Sequence, residues 1–294
     1  MKEISYKNQF NDTLFGNSWE IENSKKDLLI VTGMAEHSER YDDFAKFLNN
    51  HGYSVYCLDH YGQGKNLPLG NPGKDYFSKM VETIKEFVTK LREEHKHEVY
   101  IFSHSMGSFV TQAYIEKYSN TIEKVVICGT NGRSLMVKAG GVLSKMIVHK
   151  GNYDKEAKLL YNLSLGGYTK AVKDRKTDVD WLSYNEENVK KYIEDPLCGF
   201  MCTNGFYKEF MKGLCSIQKT KNIKSISKDL DILLICGAED PVGANSKGPV
   251  SLNKLYQKYG LKSNVIVYEH MRHEILNELD HQKVYDDVLA FYEK

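Results

Sequence analysis

Ten residues constrain this chain more than any others. Val99-Tyr100-Ile101-Phe102 is an unbroken apolar run that passes at once into Ser103-His104-Ser105-Met106-Gly107-Ser108, and a helical pattern opens near Phe109. Such a run suits a strand buried on both faces, and a strand that turns directly into a helix belongs to a parallel sheet with crossover helices. Ser105 sits at the turn. A sharp strand-to-helix elbow strains the serine backbone, lifts its Oγ above the sheet, and points the next amide and the helix N-terminus at developing negative charge. Side chains two before and two after the serine would meet neighbouring backbone, so those positions must be small, as Ser103 and Gly107 are.

The rest of the chain repeats the alternation. Strands are expected over 28–32, 54–58, 99–102, 124–128, 232–236 and 265–268, most rich in β-branched or aromatic residues, with amphipathic helices over 41–50 and 81–94 between them. The first 22 residues alternate loosely around Asn11-Asp12 and predict an antiparallel hairpin. The expected class is therefore α/β, a mostly parallel sheet flanked by helices. From about 131 to 228 the texture changes: Gly, Tyr and Lys are frequent and no strong strand appears until Ile232. We read 131–228 as an inserted, mainly helical cap, with 1–130 and 229–294 forming one core. A chain of 294 residues supports one such core plus an insertion.

Composition excludes more than it assigns. Lys plus Arg is 40 and Asp plus Glu is 39, which gives no field to attract nucleic acid. The opening residues Met1 to Lys7 lack the apolar segment of a secretory signal, and no apolar run reaches the ~18 residues of a membrane span, so a cytoplasmic location is expected. Of six cysteines, Cys57, Cys128 and Cys236 fall in strand-like runs where a thiol packs as a small hydrophobe, and all six are expected to be free. Cys198 and Cys202 are followed by no second ligand pair at zinc-site spacing, so neither a metal nor another cofactor is expected.

Three further segments supply chemistry to Ser105. Leu28 to Thr32 runs into Gly33-Met34-Ala35-Glu36-His37, a glycine loop that can offer the backbone amide of Met34 beside that of Met106 to an oxyanion. The side chains of Glu36, His37 and Arg40 are read as holding that loop. The strand Ile232 to Cys236 ends in Gly237-Ala238-Glu239-Asp240-Pro241, which places a carboxylate on a turn at a strand's carboxyl end. Asp240 is preferred over Glu239 because the following proline holds its backbone extended. After the last strand, His273 is chosen as the base over His270, which is nearer the strand end. His104 is read as structural support. The expected triad is Ser105, Asp240 and His273, working through an acyl-enzyme.

At these residues the sequence resembles the monoacylglycerol lipases and bacterial lysophospholipases of the α/β-hydrolase superfamily, a group that also includes serine peptidases. The resemblance runs through Gly33 to Tyr41, Asp59-His60-Tyr61-Gly62-Gln63-Gly64, His104 to Gly107, Gly237 to Gly243 and Arg272-His273-Glu274, and more loosely through Asp195 to Phe200 in the cap. Its order of nucleophile, acid and base matches Ser105, Asp240 and His273. Thr32, Ser103, Tyr61 and Gln63 depart from the pattern, which commonly has histidine, glycine, arginine and histidine there. The resemblance implies hydrolysis of single-chain acyl esters such as monoacylglycerol or lysophospholipid. An amide hydrolase would need an acidic cap site, for which Glu186, Glu187, Glu194 and Asp195 are available. A silent ligand-binding scaffold would most simply lack a triad member. Val142, Leu143, Met146, Ile147 and Val148 are candidates for an apolar helix face that packs within the cap, lines a tunnel or touches a membrane transiently.

Overall fold

The computed structural model describes all 294 residues. The chain opens with β1 (Lys2–Lys7) and β2 (Thr13–Trp19), then alternates β3 (Lys26–Val31), α1 (Asp42–Asn49), β4 (Tyr53–Leu58), α2 (Tyr76–His95), β5 (Glu98–His104), α3 (Met106–Tyr118) and β6 (Lys124–Cys128). Six helices follow: α4 (Leu135–Ile147), α5 (Lys158–Leu163), α6 (Leu165–Ala171), α7 (Glu186–Glu194), α8 (Asn204–Leu214) and α9 (Thr220–Ser225). The chain closes with β7 (Asp231–Gly237), α10 (Lys247–Lys258), β8 (Lys262–Tyr268) and α11 (His281–Glu293).

All eight strands form one sheet in the order β1-β2-β4-β3-β5-β6-β7-β8. β1 and β2 pair antiparallel, β2 runs antiparallel to β4, and every later pairing is parallel. The α/β class and the opening hairpin are as the sequence led us to expect. Successive residues of the central strands face opposite layers. Leu28, Ile30, Tyr100 and Phe102 pack on α1 and α11 through Phe44, Leu48, Val288 and Tyr292. Leu29, Val31, Val99 and Ile101 pack on α2 and α3 through Ile84, Val88 and Val110. This two-sided burial explains why those strands read as continuous apolar runs.

Two boundaries differ from the sequence reading for physical reasons. α2 begins at Tyr76, not near Val81, because Tyr76 and Phe77 are buried by side chains distant in sequence; the Tyr76 and Phe206 rings stack with centroids 5.2 Å apart. α3 begins at Met106, not near Phe109, so the elbow has no connecting loop and Ser105 itself is the residue before the helix.

Helices α4 to α9 lie between β6 and β7 and do not share one core of their own. Phe206, Tyr207, Ile223 and Ile226 join the main cluster beneath α2 and α3, whereas Trp181, Leu182, Tyr192 and Cys198 form a smaller cluster with Val242 from the loop after β7. On α4, Val142, Leu143 and Met146 are exposed, as are Leu135 and Met136. Ile147 is half-buried against the core and Val148 is buried, so the five residues considered above do not form one face.

Candidate active site

The carboxyl ends of β3, β5, β6, β7 and β8 meet at one edge of the sheet, where an open parallel sheet leaves a crevice. At the end of β5, Ser105 has φ 50° and ψ −120°, a conformation that L-residues seldom adopt. It is fixed from both sides: its amide donates to Cys128 O at 3.0 Å, and its carbonyl accepts from Ser108 N at 2.9 Å. Gly107 packs so closely on β3 that a Cβ there would lie 2.2 Å from Val31 O. Ser103 retains its side chain because its Oγ turns back and donates to Val126 O at 3.0 Å.

His273 and Asp240 are both fully buried, and His273 Nδ1 lies 3.0 Å from Asp240 Oδ1. The same oxygen accepts the amide of Val242 at 2.9 Å, which fixes the carboxylate. His273 Nε2 has no hydrogen-bond partner, so the ring's other nitrogen is free to exchange a proton. The ring lies over Gly129, directly after the Cys128 carbonyl that holds Ser105; a Cβ at Gly129 would come within 2.9 Å of His273 Cε1. Trp181 packs against the His273 ring, centroids 5.2 Å apart, and Tyr168 packs on Trp181 at 5.3 Å. His270 is almost wholly exposed, 3.9 Å from Glu239 Oε1, and both stand away from this cluster.

The glycine loop after β3 is held at many points. Gly33 N donates to Glu36 Oε1 and Ala35 N to Gln63 Oε1, leaving the amide of Met34 between two that are committed. Gln63 Nε2 returns to Gly33 O at 2.9 Å, Tyr192 OH donates to Ala35 O at 3.1 Å, and His60 Nε2 lies 2.9 Å from Thr32 O. Burial pushes the His60 imidazole down to about 4, the Thr32 carbonyl opposing only in part, so it is neutral at physiological pH. The departure at Gln63 therefore forms part of this loop's support, whereas Thr32 contributes its backbone carbonyl and its buried Oγ1 has no hydrogen-bond partner.

A buried ion network joins the loop to the segment that carries His273. Arg40 forks onto Glu274 through two bonds of 2.7 Å and reaches Glu36 Oε2 at 2.8 Å. Glu274 directly follows His273, and Glu36 also accepts from Tyr41 OH at 2.8 Å and lies 3.3 Å from His104 Nδ1. Burial alone would raise the Glu36 carboxyl, but His104, Arg40 and Tyr41 together hold it well below the usual carboxylate range. Glu274 is likewise held low by Arg40 against the same burial. His104, against burial, is raised by Glu36, and its Nε2 lies 3.3 Å from His273 O. Its reading as structural support agrees with these contacts, as does the loop-holding role given to Glu36, His37 and Arg40. His37 Nε2 pairs with Asp195 Oδ2 at 2.8 Å.

Sequence reasoning missed Trp181, Tyr192, Glu278 and Asn188, whose Nδ2 donates to Glu274 Oε2 at 2.7 Å. Glu278 accepts Arg272 N at 2.8 Å, Ser183 Oγ at 2.7 Å and Tyr184 N at 2.9 Å, stitching the segment that carries Trp181 to the loop that carries His273. Trp181 had one available signal, being one of only two tryptophans and set among polar residues. Glu278 had none, because Ser183 and Tyr184, the partners it ties to the His273 loop, lie more than 90 residues away.

A strained serine at a strand-to-helix elbow, and an imidazole–carboxylate pair carried on two later strand ends, define a serine hydrolase of the α/β-hydrolase fold. The chain belongs to the family described as serine aminopeptidase, S33, whose model matches residues 22–280. It is 25% identical over 268 residues to the monoacylglycerol lipase of Mycolicibacterium smegmatis, covering 90% of this chain and 86% of that one. It is 27% identical over 107 residues to a probable lysophospholipase L2 of Haemophilus influenzae, covering 35% of this chain and 34% of that one. Among solved structures, a thermostable carboxyl esterase from Bacillus coagulans superposes with a TM-score of 0.91 at 24% identity, covering 99% of this chain and 97% of that one.

Proposed function

We propose that this hydrolase cleaves single-chain carboxylic esters such as monoacylglycerols or lysophospholipids, through an acyl-enzyme on Ser105. His273 Nε2 takes the Ser105 proton as Oγ attacks the carbonyl, Asp240 orients and stabilises the imidazolium, and the amides of Met34 and Met106 receive the oxyanion. Collapse of the tetrahedral intermediate returns that proton to the departing alcohol, and water activated by the same base releases the acid.

The observation that carries the substrate class is the apolar cluster against the base. Trp181 packs on His273, and Leu182 and Val242, with half-buried Leu165, Tyr168, Val172 and Val179, extend the same apolar cluster. An acyl chain suits such a surface, whereas a substrate amine does not. The acidic residues suggested for an amine site are spent or remote: Glu186, Glu187 and Glu194 are exposed on α7, and Asp195 is paired with His37. In this reading 131–228 acts as the cap over the crevice, and the exposed apolar residues of α4 touch the lipid aggregate that holds the substrate. No helix is long and apolar enough to cross a membrane.

The test is labelling of the intact chain with a fluorophosphonate and mapping of the modified residue, with Ser105→Ala as control. Hydrolysis of p-nitrophenyl esters of increasing length, and of monoacylglycerol as monomer and in vesicles, follows. Label on Ser105, rising kcat/KM with chain length and faster turnover in vesicles are expected. Absence of label from folded protein would sink the mechanism, preference for aminoacyl amides would sink the substrate class, and equal rates for monomer and vesicle would remove the membrane contact.

A further inference from the structure

At the opposite edge of the sheet lies a cluster that the reaction does not use. Asp27 is the second residue of β3 and pairs in register with Val99 at the start of β5, roughly 20 Å along that strand from Ser105 at ~3.3 Å per residue. Its side chain is fully buried, and its ion-pair partners are two histidines, His95 at the end of α2 and His97 in the short link to β5. His95 Nδ1 lies 2.8 Å and His97 Nδ1 3.9 Å from Asp27 Oδ2, and the donor atoms all lie within 4.8 Å of one another. The other oxygen, Asp27 Oδ1, is buried with no hydrogen-bond partner, and so is His97 Nδ1.

Such orphans are costly in a core. An oxygen and an imidazole nitrogen left unpaired beside one another, next to a second imidazole, have the composition of a metal ligand set. The spacing agrees: tetrahedral zinc, with bonds of about 2.0–2.1 Å, holds its ligands about 3.3 Å apart, between the two distances seen here. The imidazoles are 31% and 27% exposed, which gives an ion an entry path and room for water as a fourth ligand. Binding requires His95 to shift its proton to Nε2 so that Nδ1 presents a lone pair.

We propose that Asp27, His95 and His97 form a site for a divalent transition-metal ion such as zinc, which fastens the link between α2 and β5 to the start of β3. The site differs from the pair Cys198 and Cys202 considered from sequence and makes no contact with the triad. It predicts that the full chain, stripped by chelator, binds zinc saturably at one equivalent by calorimetry and melts at a higher temperature with zinc than without. His97→Ala and Asp27→Asn should each weaken zinc at least tenfold and abolish the melting shift. His97 is partly exposed, so His97→Ala keeps the test valid should Asp27→Asn fold poorly. No saturable binding, or affinity unchanged in His97→Ala, overturns the proposal; the second result would move zinc to another group, such as His37, Asp195 and Cys198, whose donors also lie within 4.8 Å of one another.

Discussion

Ser105 holds a backbone conformation that costs a non-glycine residue of order 1–3 kcal/mol, and it persists because Cys128, Ser108 and the tight contact of Gly107 on β3 leave no alternative. Gly129, directly after the Cys128 carbonyl that holds Ser105, leaves room for the His273 ring, which a Cβ there would meet at 2.9 Å. The two histidines of the loop after β8 differ sharply: His273 is buried on Asp240, and His270 stands in solvent. His273→Ala should therefore lower kcat by roughly 10⁴–10⁶-fold. His270→Ala should stay within a few-fold of the parent chain, with both variants melting normally. Steady-state kinetics on a short-chain ester decides this, and a large loss in His270→Ala would reverse the assignment. The sequence distinguished the two by their distances from the strand end and from the helical run that follows, and by the resemblance at Arg272-His273-Glu274. It carried Ser105 far more openly, because an elbow must be written in consecutive residues, whereas Trp181 and Glu278 act through partners that no local pattern reveals.

Loops at the carboxyl ends of β3 and β8 are the two elements that must keep register, one bearing Met34 and the other His273. Arg40 spans them, gripping Glu36 on the first and Glu274 on the second. Replacing it by methionine would leave two buried carboxylates facing each other, and breaking a buried pair this way costs about 3–5 kcal/mol. Arg40→Met should melt well below the parent chain and lose kcat more than it raises KM. Arg40→Lys should recover part of the stability but less of the rate, since a point charge cannot fork onto Glu274. The sign of the pH effect follows from the carboxyls' depressed values. The network's stability is fully present above the ordinary carboxylate range and is lost as pH falls below about 4.5, the ordinary value for glutamate. Thermal melts of the three proteins between pH 2 and 7 test this; identical profiles for Arg40→Met and the parent would show that Arg40 joins nothing that matters.

For the whole molecule the question is how the segment between β6 and β7 is tied to the sheet. The sequence changes texture near residue 131, but the segment's inner helices leave no local sign of their packing, because α8 and α9 place Phe206 and Ile223 in one apolar cluster with α2 and α3, which are far off in sequence. A polar seam runs beside that contact. Glu116 of α3 accepts Gln218 N at 2.6 Å and Asn222 Nδ2 at 2.9 Å, and Gln218 in turn donates to Gln112 and to Asn131 O. Burial pushes the Glu116 carboxyl up to about 7 from an ordinary 4.5, because these neutral donors, with Lys219 and Arg133 farther off, offset the lost hydration only in part. The folded chain then holds a proton that the unfolded chain releases between those values. Stability is thus lost as pH rises from about 4.5 to 7, the reverse of the Arg40 network. Glu116→Gln has no proton to lose. Its melting temperature, compared with the parent's, should rise steadily from pH 5 to pH 8 and level off above that. Parallel melting curves across this range would mean that Glu116 is ionised in the fold and that the seam is an ordinary carboxylate contact, insensitive to neutral pH.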